Sequence, residues 1–279
     1  MRKVISILLC LFLLSVAMQA QDCLGGAGST VVPMSGHEDM NVVILGDSNT
    51  SIGGDECNNP RGWSKWFKDK FAPATCRSYA RSGATWTNTA KTAYNTKEYT
   101  EKLGNDNVIY NQVNRLKDDC DGGRQSEPDL ILVAAGTNDA WFRASRPDAF
   151  SVTAEQAFVN DAGFITGMKA ADIRTLAGSV RYCCEMLMKR FPEAQIILLT
   201  PMQSVAAGYA DIRKAGDIIE GCAHRMGLCV IRQDRESSVY DIREKATRRY
   251  TTDGTHTSNE GARRNGFYIA NRVSAMLQR

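Results

Sequence analysis

Residues 41–50 read NVVILGDSNT, and the change of character inside that stretch points to the architecture. Val42, Val43, Ile44 and Leu45 form an unbroken apolar run. A strand with one wet face alternates apolar and polar residues, so an unbroken run marks a strand covered on both sides. The run stops at Gly46 and gives way to Asp47-Ser48-Asn49-Thr50, a small, acidic, hydroxyl-rich turn. In a parallel sheet the carboxyl ends of the strands are where ligands meet the chain, which places Ser48 at a candidate functional edge. Taken alone the cluster reads first as ordinary turn chemistry, because Gly, Asp and Ser are common turn formers.

Similar apolar runs recur at 129–135 (DLILVAA), 194–200 (AQIILLT) and 228–231 (LCVI), with a weaker one at 75–80 (TCRSYA). Between them lie helical patterns. Leu176, Val180, Cys183, Leu187 and Phe191 fall at helical spacing within 171–191, and Pro192 ends the helix. Residues 208–227 and 259–278 read likewise. Alternating buried strands and helices predict an α/β fold, a three-layer α/β/α sandwich around a parallel sheet of about five strands. Residues 84–128, polar and without a clear strand, and 140–170, with at most one short helix, are candidates for substrate-binding insertions or plain surface.

Four turn-like clusters follow in order: GDSNT from 46, RSGATW from 81, AAGTNDAW from 134 and TTDGTHTS from 251. The first three each follow a predicted strand, so parallel strands bring them to one edge. With these residues the chain resembles the SGNH hydrolases, the GDSL esterase/lipase family. The resemblance runs from Gly46 to His256 and implies a flavodoxin-like strand order, with Ser48 as nucleophile, His256 and Asp253 as base and acid, and Gly83 and Asn138 as oxyanion donors. Asn49 stands where the family name has Leu. Physically the assignment is coherent. A serine hydroxyl needs a base to attack an acyl carbon, imidazole titrates near neutrality, and Asp253 is close enough in sequence to hold the ring in one tautomer. Asn138 offers an amide donor to the developing oxyanion, and Gly83 and Ser48 offer backbone N–H groups. No G-x-S-x-G elbow occurs, which separates the chain from the α/β-hydrolases. Asp47 shapes the turn, and His37 and His224 receive no role.

Residues 1–20 have the pattern of a secretory signal, with Arg2 and Lys3 ahead of an apolar run from Val4 to Val16 and Ala20 near the cut. The expected product is a single catalytic domain over 21–279, secreted or periplasmic and not stably inserted in a membrane. Asp22 before Cys23 argues against a lipid anchor. The net charge of +3 falls to about +1 without the leader, which gives no sign of a nucleic-acid partner. Of nine cysteines, eight remain after Cys10. Sequence proximity favours pairing Cys57 with Cys76 and Cys222 with Cys229. Cys183 and Cys184, about 100° apart on a helix, are expected to send at most one side chain to the core. Only three histidines and no C-x-x-C or H-E-x-x-H argue against a metal site, and acyl transfer of this kind needs no cofactor.

Trp86 and Trp141 each lie three residues beyond an oxyanion candidate, and aromatic faces there suit a sugar ring. The expected substrate is therefore an ester, an acylated carbohydrate, and the resemblance to the SGNH hydrolases implies acetyl as the acyl group. Two other readings stay open: a lipase, lysophospholipase or thioesterase with the same triad, and a non-catalytic glycan-binding module.

Overall fold

The computed structural model describes residues 31–96, 102–159 and 163–277. The predicted leader, its cleavage point and Cys23 lie outside the described residues. From Pro33 onward the chain forms one compact unit.

In chain order the elements are β1 (Asn41–Gly46), α1 (Ser48–Ser51), α2 (Trp63–Phe71), β2 (Thr75–Ser78), α3 (Ile109–Asp121), β3 (Leu130–Ala134) and α4 (Thr137–Trp141). There follow α5 (Ala154–Ala157), α6 (Leu176–Arg190), β4 (Gln195–Leu199), α7 (Tyr209–Arg225), β5 (Cys229–Ile231), α8 (Gln233–Glu236), α9 (Asp241–Thr247) and α10 (Asn259–Leu277). All strand pairs are parallel, in the order β2-β1-β3-β4-β5. The central strands are buried on both faces because each side of the sheet is covered. Val43, Leu45, Ile131, Val133 and Leu198 pack toward α3, α6 and α7. Val42, Ile44, Leu130, Leu132 and Leu199 pack toward α2 and α10. Burying each such side chain contributes about 1.5–3 kcal/mol, which is why the apolar runs locate the sheet so well.

Three expectations are corrected. Residues 84–128 are not all peripheral: Ile109, Val113 and Leu116 recur at helical spacing along α3 and are fully or almost fully buried against the sheet. Cys183 and Cys184 are both fully buried, because α6 is covered by neighbouring helices as well as by the sheet. Cysteine pairing also differs from expectation, since all four candidate residues are free thiols. Cys57 and Cys76 touch, each within hydrogen-bonding reach of the other. Cys222 and Cys229 lie on opposite sides of the sheet; the Cys222 thiol donates to the Ala177 carbonyl while Cys229 packs toward the other face.

The neighbours β1 and β3 diverge in chain direction, β1 leading back to β2 and β3 onward to β4. Their carboxyl ends flank the switch point of the sheet, where open α/β sheets bind ligands.

Candidate active site

Ser48 follows β1 at this switch point as the first residue of α1. The turn that presents it is held from two sides. Gln112 on α3 clamps the Gly46 backbone, accepting its N–H at 2.8 Å and donating to its carbonyl at 2.8 Å. Asp47 caps α1, its Oδ1 accepting the Asn49 N–H at 3.1 Å. Burial pushes the Asp47 carboxyl up to about 6, with Thr137 and the Asn49 N–H pulling the other way. Among the described residues Asp47 Oδ2 has no hydrogen-bond partner within bonding geometry, and Asp47 is one of the residues lining a small cavity of about 10 Å³.

His256 and Asp253 stand on the turn before α10. That spacing lets one carboxylate serve the local backbone and the ring together. Asp253 Oδ1 accepts the N–H groups of Thr255 at 2.9 Å and His256 at 2.8 Å, and Oδ2 meets His256 Nδ1 at 2.7 Å. The opposite ring nitrogen, Nε2, lies 3.0 Å from Ser48 Oγ. Partial burial pushes the Asp253 carboxyl up, yet the bonds from His256 and Thr255 outweigh it and hold the carboxyl below its ordinary value. The turn is tied to α1 by the Thr257 N–H, which donates to Asn49 Oδ1 at 3.3 Å.

The two predicted oxyanion residues arrive from separate loops. Asn138 follows β3 in α4 and donates its amide to the Ala84 carbonyl at 2.9 Å; a primary amide carries a second N–H beyond that one. Gly83 adopts φ +80°, open to glycine at little cost, and a Cβ there would stand 2.5 Å from the Lys102 carbonyl carbon. Neither the Ser48 nor the Gly83 backbone N–H meets an acceptor among the described residues. Asp139 fastens the two loops together, accepting the N–H groups of Trp86 at 3.0 Å and Thr87 at 2.9 Å. The arrangement is capable of proton transfer from Ser48 to His256, beside N–H donors suited to an anionic oxygen.

The two tryptophans part company. Trp141 is 37% exposed, stacks on Phe142 and has its ring 6.4 Å from that of His256. Trp86 is fully buried in the core, so the expectation that its ring meets substrate is corrected; only its backbone supports the site. His37 stacks on Phe71 at 4.0 Å and bonds Ser274, and His224 lies exposed in the last turn of α7. Gln112 and Asp139 escaped the sequence reading: neither stands out from its neighbours until the fold shows what each one grips. Among the described residues no group of acidic, Cys and His side chains could hold a metal ion.

The family model described as GDSL-like Lipase/Acylhydrolase matches residues 44–264. Comparison with curated proteins returns no match. Among solved structures, a candidate lipase from Chitinophaga pinensis DSM 2588 aligns at TM-score 0.52 with 16% identity, covering 85% of this chain and 99% of that one. A candidate GDSL-like lipase from Bacteroides uniformis ATCC 8492 aligns at TM-score 0.51 with 19% identity, over 85% and 96%. A protein from Lactobacillus plantarum aligns at 0.53 with 14% identity, over 87% and 98%. At these identities the likeness is one of fold. The match to the family model extends from β1 into α10 and takes in every cluster that meets at the switch point, so the chain belongs to the GDSL-like lipase/acylhydrolase family of carboxylic ester hydrolases.

Proposed function

We propose that the protein is an exported serine esterase that removes short acyl groups, acetyl foremost, from carbohydrate. The observation that carries the reading is the continuous relay from Ser48 Oγ to His256 Nε2 and from Nδ1 to Asp253 Oδ2. Ser48 Oγ attacks the acyl carbon while His256 takes its proton. The resulting oxyanion is met by the N–H groups of Ser48 and Gly83 and the amide of Asn138. Collapse breaks the bond to the sugar oxygen, which leaves with the proton from His256. Water, deprotonated in turn by His256, then releases the acid from Ser48. Asp253 holds the ring in the tautomer that leaves Nε2 open to the serine and stabilises the ring when charged.

For the substrate class the support is Trp141, a half-exposed aromatic face beside the base, suited to stacking against a sugar ring. Action outside the cytoplasm rests on the leader pattern at 1–20. No helix among the described residues is long and apolar enough to cross a membrane.

Hydrolysis of p-nitrophenyl acetate, octanoate and palmitate by wild type and Ser48→Ala tests the reading. Acetate preference abolished by the substitution is the expected result. A preference for palmitate moves the protein to the lipases, and serine-independent turnover removes the proposed nucleophile.

A further inference from the structure

Helix α9 carries a carboxylate that this reaction scheme leaves idle. Glu244 is fully buried, and burying a carboxylate is costly unless donors surround it. Its Oε2 gathers three of them: the Tyr250 N–H at 3.0 Å, the Thr251 N–H at 2.9 Å and the Thr251 hydroxyl at 2.8 Å. The same hydroxyl accepts the Gly254 N–H at 3.1 Å, one residue past Asp253. Thr251 also pairs across the turn with Thr257. Above it the Thr252 N–H donates to the His256 carbonyl at 2.8 Å. A continuous path therefore runs from Glu244 through Thr251 into the turn that bears Asp253 and His256.

The close bonds of this carboxylate all point to that turn. Its nearest cationic neighbour, Arg243, stands 3.7 Å away from Oε1, and Oε1 meets no hydrogen-bond partner among the described residues. Arg248 turns its guanidinium to the Glu244 backbone carbonyl instead and packs beside Gly254, where a Cβ would stand 2.7 Å from it.

Resting on the triad reading above, we infer that Glu244 is a positioning residue for the reaction: acting through the Thr251 hydroxyl, it sets the placement of Asp253 and His256 against Ser48. It touches neither substrate nor reacting atoms. Its effect is on alignment, where a displacement of about 1 Å costs on the order of 100-fold in rate.

Thr251→Val cuts the path at the hydroxyl and leaves Glu244 two N–H donors, so it tests the path with the least damage to folding. Thr251→Ser keeps the hydroxyl. Glu244→Gln keeps an acceptor and loses the charge, which roughly halves the strength of such bonds. All are assayed on p-nitrophenyl acetate, with folding followed by circular dichroism and competent sites counted by fluorophosphonate labelling. Thr251→Val is expected to lower kcat per competent site about 10- to 100-fold with KM nearly unchanged. The acid limb of its kcat/KM profile moves to lower pH as the Asp253 contact loosens, and Thr251→Ser restores both. Glu244→Gln acts in the same direction, and the double variant is less impaired than the product of the two, as residues on one path require. Wild-type kcat and acid limb in folded Thr251→Val overturn the inference. So does a loss explained wholly by fewer competent sites, or multiplicative effects in the double variant. Ser48→Ala on the same ester separates the failures: residual turnover there overturns the triad reading and this inference with it, whereas a dead Ser48→Ala beside an unimpaired Thr251→Val overturns this inference alone.

Discussion

Asn138 donates its side-chain amide to the carbonyl of Ala84, joining the loop after β3 to the loop after β2 at 2.9 Å. One side chain thus serves two ends: it is an oxyanion donor in the proposed reaction and a brace for the Gly83 loop. Asn138→Ala is expected to lower kcat on p-nitrophenyl acetate about 10²- to 10³-fold, with a much smaller change in KM. Equal losses in binding and turnover would point to the brace alone.

Asp253→Asn should leave the fold intact and lower kcat on the order of 10⁴-fold, because the amide no longer holds the imidazole in the required tautomer. In the wild type the Asp253 carboxyl lies below its ordinary value. Its stabilising contribution is thus complete above the ordinary value and fades only as pH falls through the lower, folded one. No activity limb between about pH 5 and 8 comes from this group, and a kcat/KM profile of the wild type checks that.

Asp47 has the opposite sign. Its folded carboxyl titrates at about 6 against an ordinary value of 3.8, so the folded state binds the proton more tightly than the unfolded chain. Stability from this group is present below the ordinary value and is lost as pH rises through the folded value, by on the order of 3 kcal/mol in all. Asp47→Asn keeps a cap oxygen and cannot ionise. Its melting temperature relative to wild type should rise between about pH 4 and 6 and level off above; a difference that ignores pH rules the account out.

Trp141 and Trp86 separate specificity from stability. Trp141→Ala should lower kcat/KM on acetylated oligosaccharides by roughly 3- to 10-fold, the worth of one stacking contact, with p-nitrophenyl acetate little affected. Trp86→Ala should instead cost about 3–5 kcal/mol in chemical denaturation, as a core tryptophan does.

Much of this was legible in the residues themselves. The apolar runs at 42–45, 130–134 and 196–199 announce central strands because an element covered on both faces has no polar side to show. Asp253 and His256 are three residues apart, so their pairing is nearly a local property of one turn. Ser48 and His256 are 208 residues apart, and their approach was inferable only by assuming parallel strands that deliver their ends to one edge. Other features had no such signature. Trp86 and Trp141 occupy like positions after like clusters, yet one is sealed in the core and the other faces the site.

The layer architecture, the chain order of the clusters and the chemistry each one offers follow from the residues alone, because apolar periodicity and side-chain type are local. Which groups grip which emerges from the assembled fold. Gln112 clasps Gly46, Asp139 joins two loops, Glu244 binds the turn that carries Asp253 and His256, and Cys222 is kept from Cys229 by the sheet between their faces. Each depends on the direction a side chain takes from its element and on what the packing of distant segments sets before it, and direction and packing are properties of the assembled layers rather than of the stretches that build them.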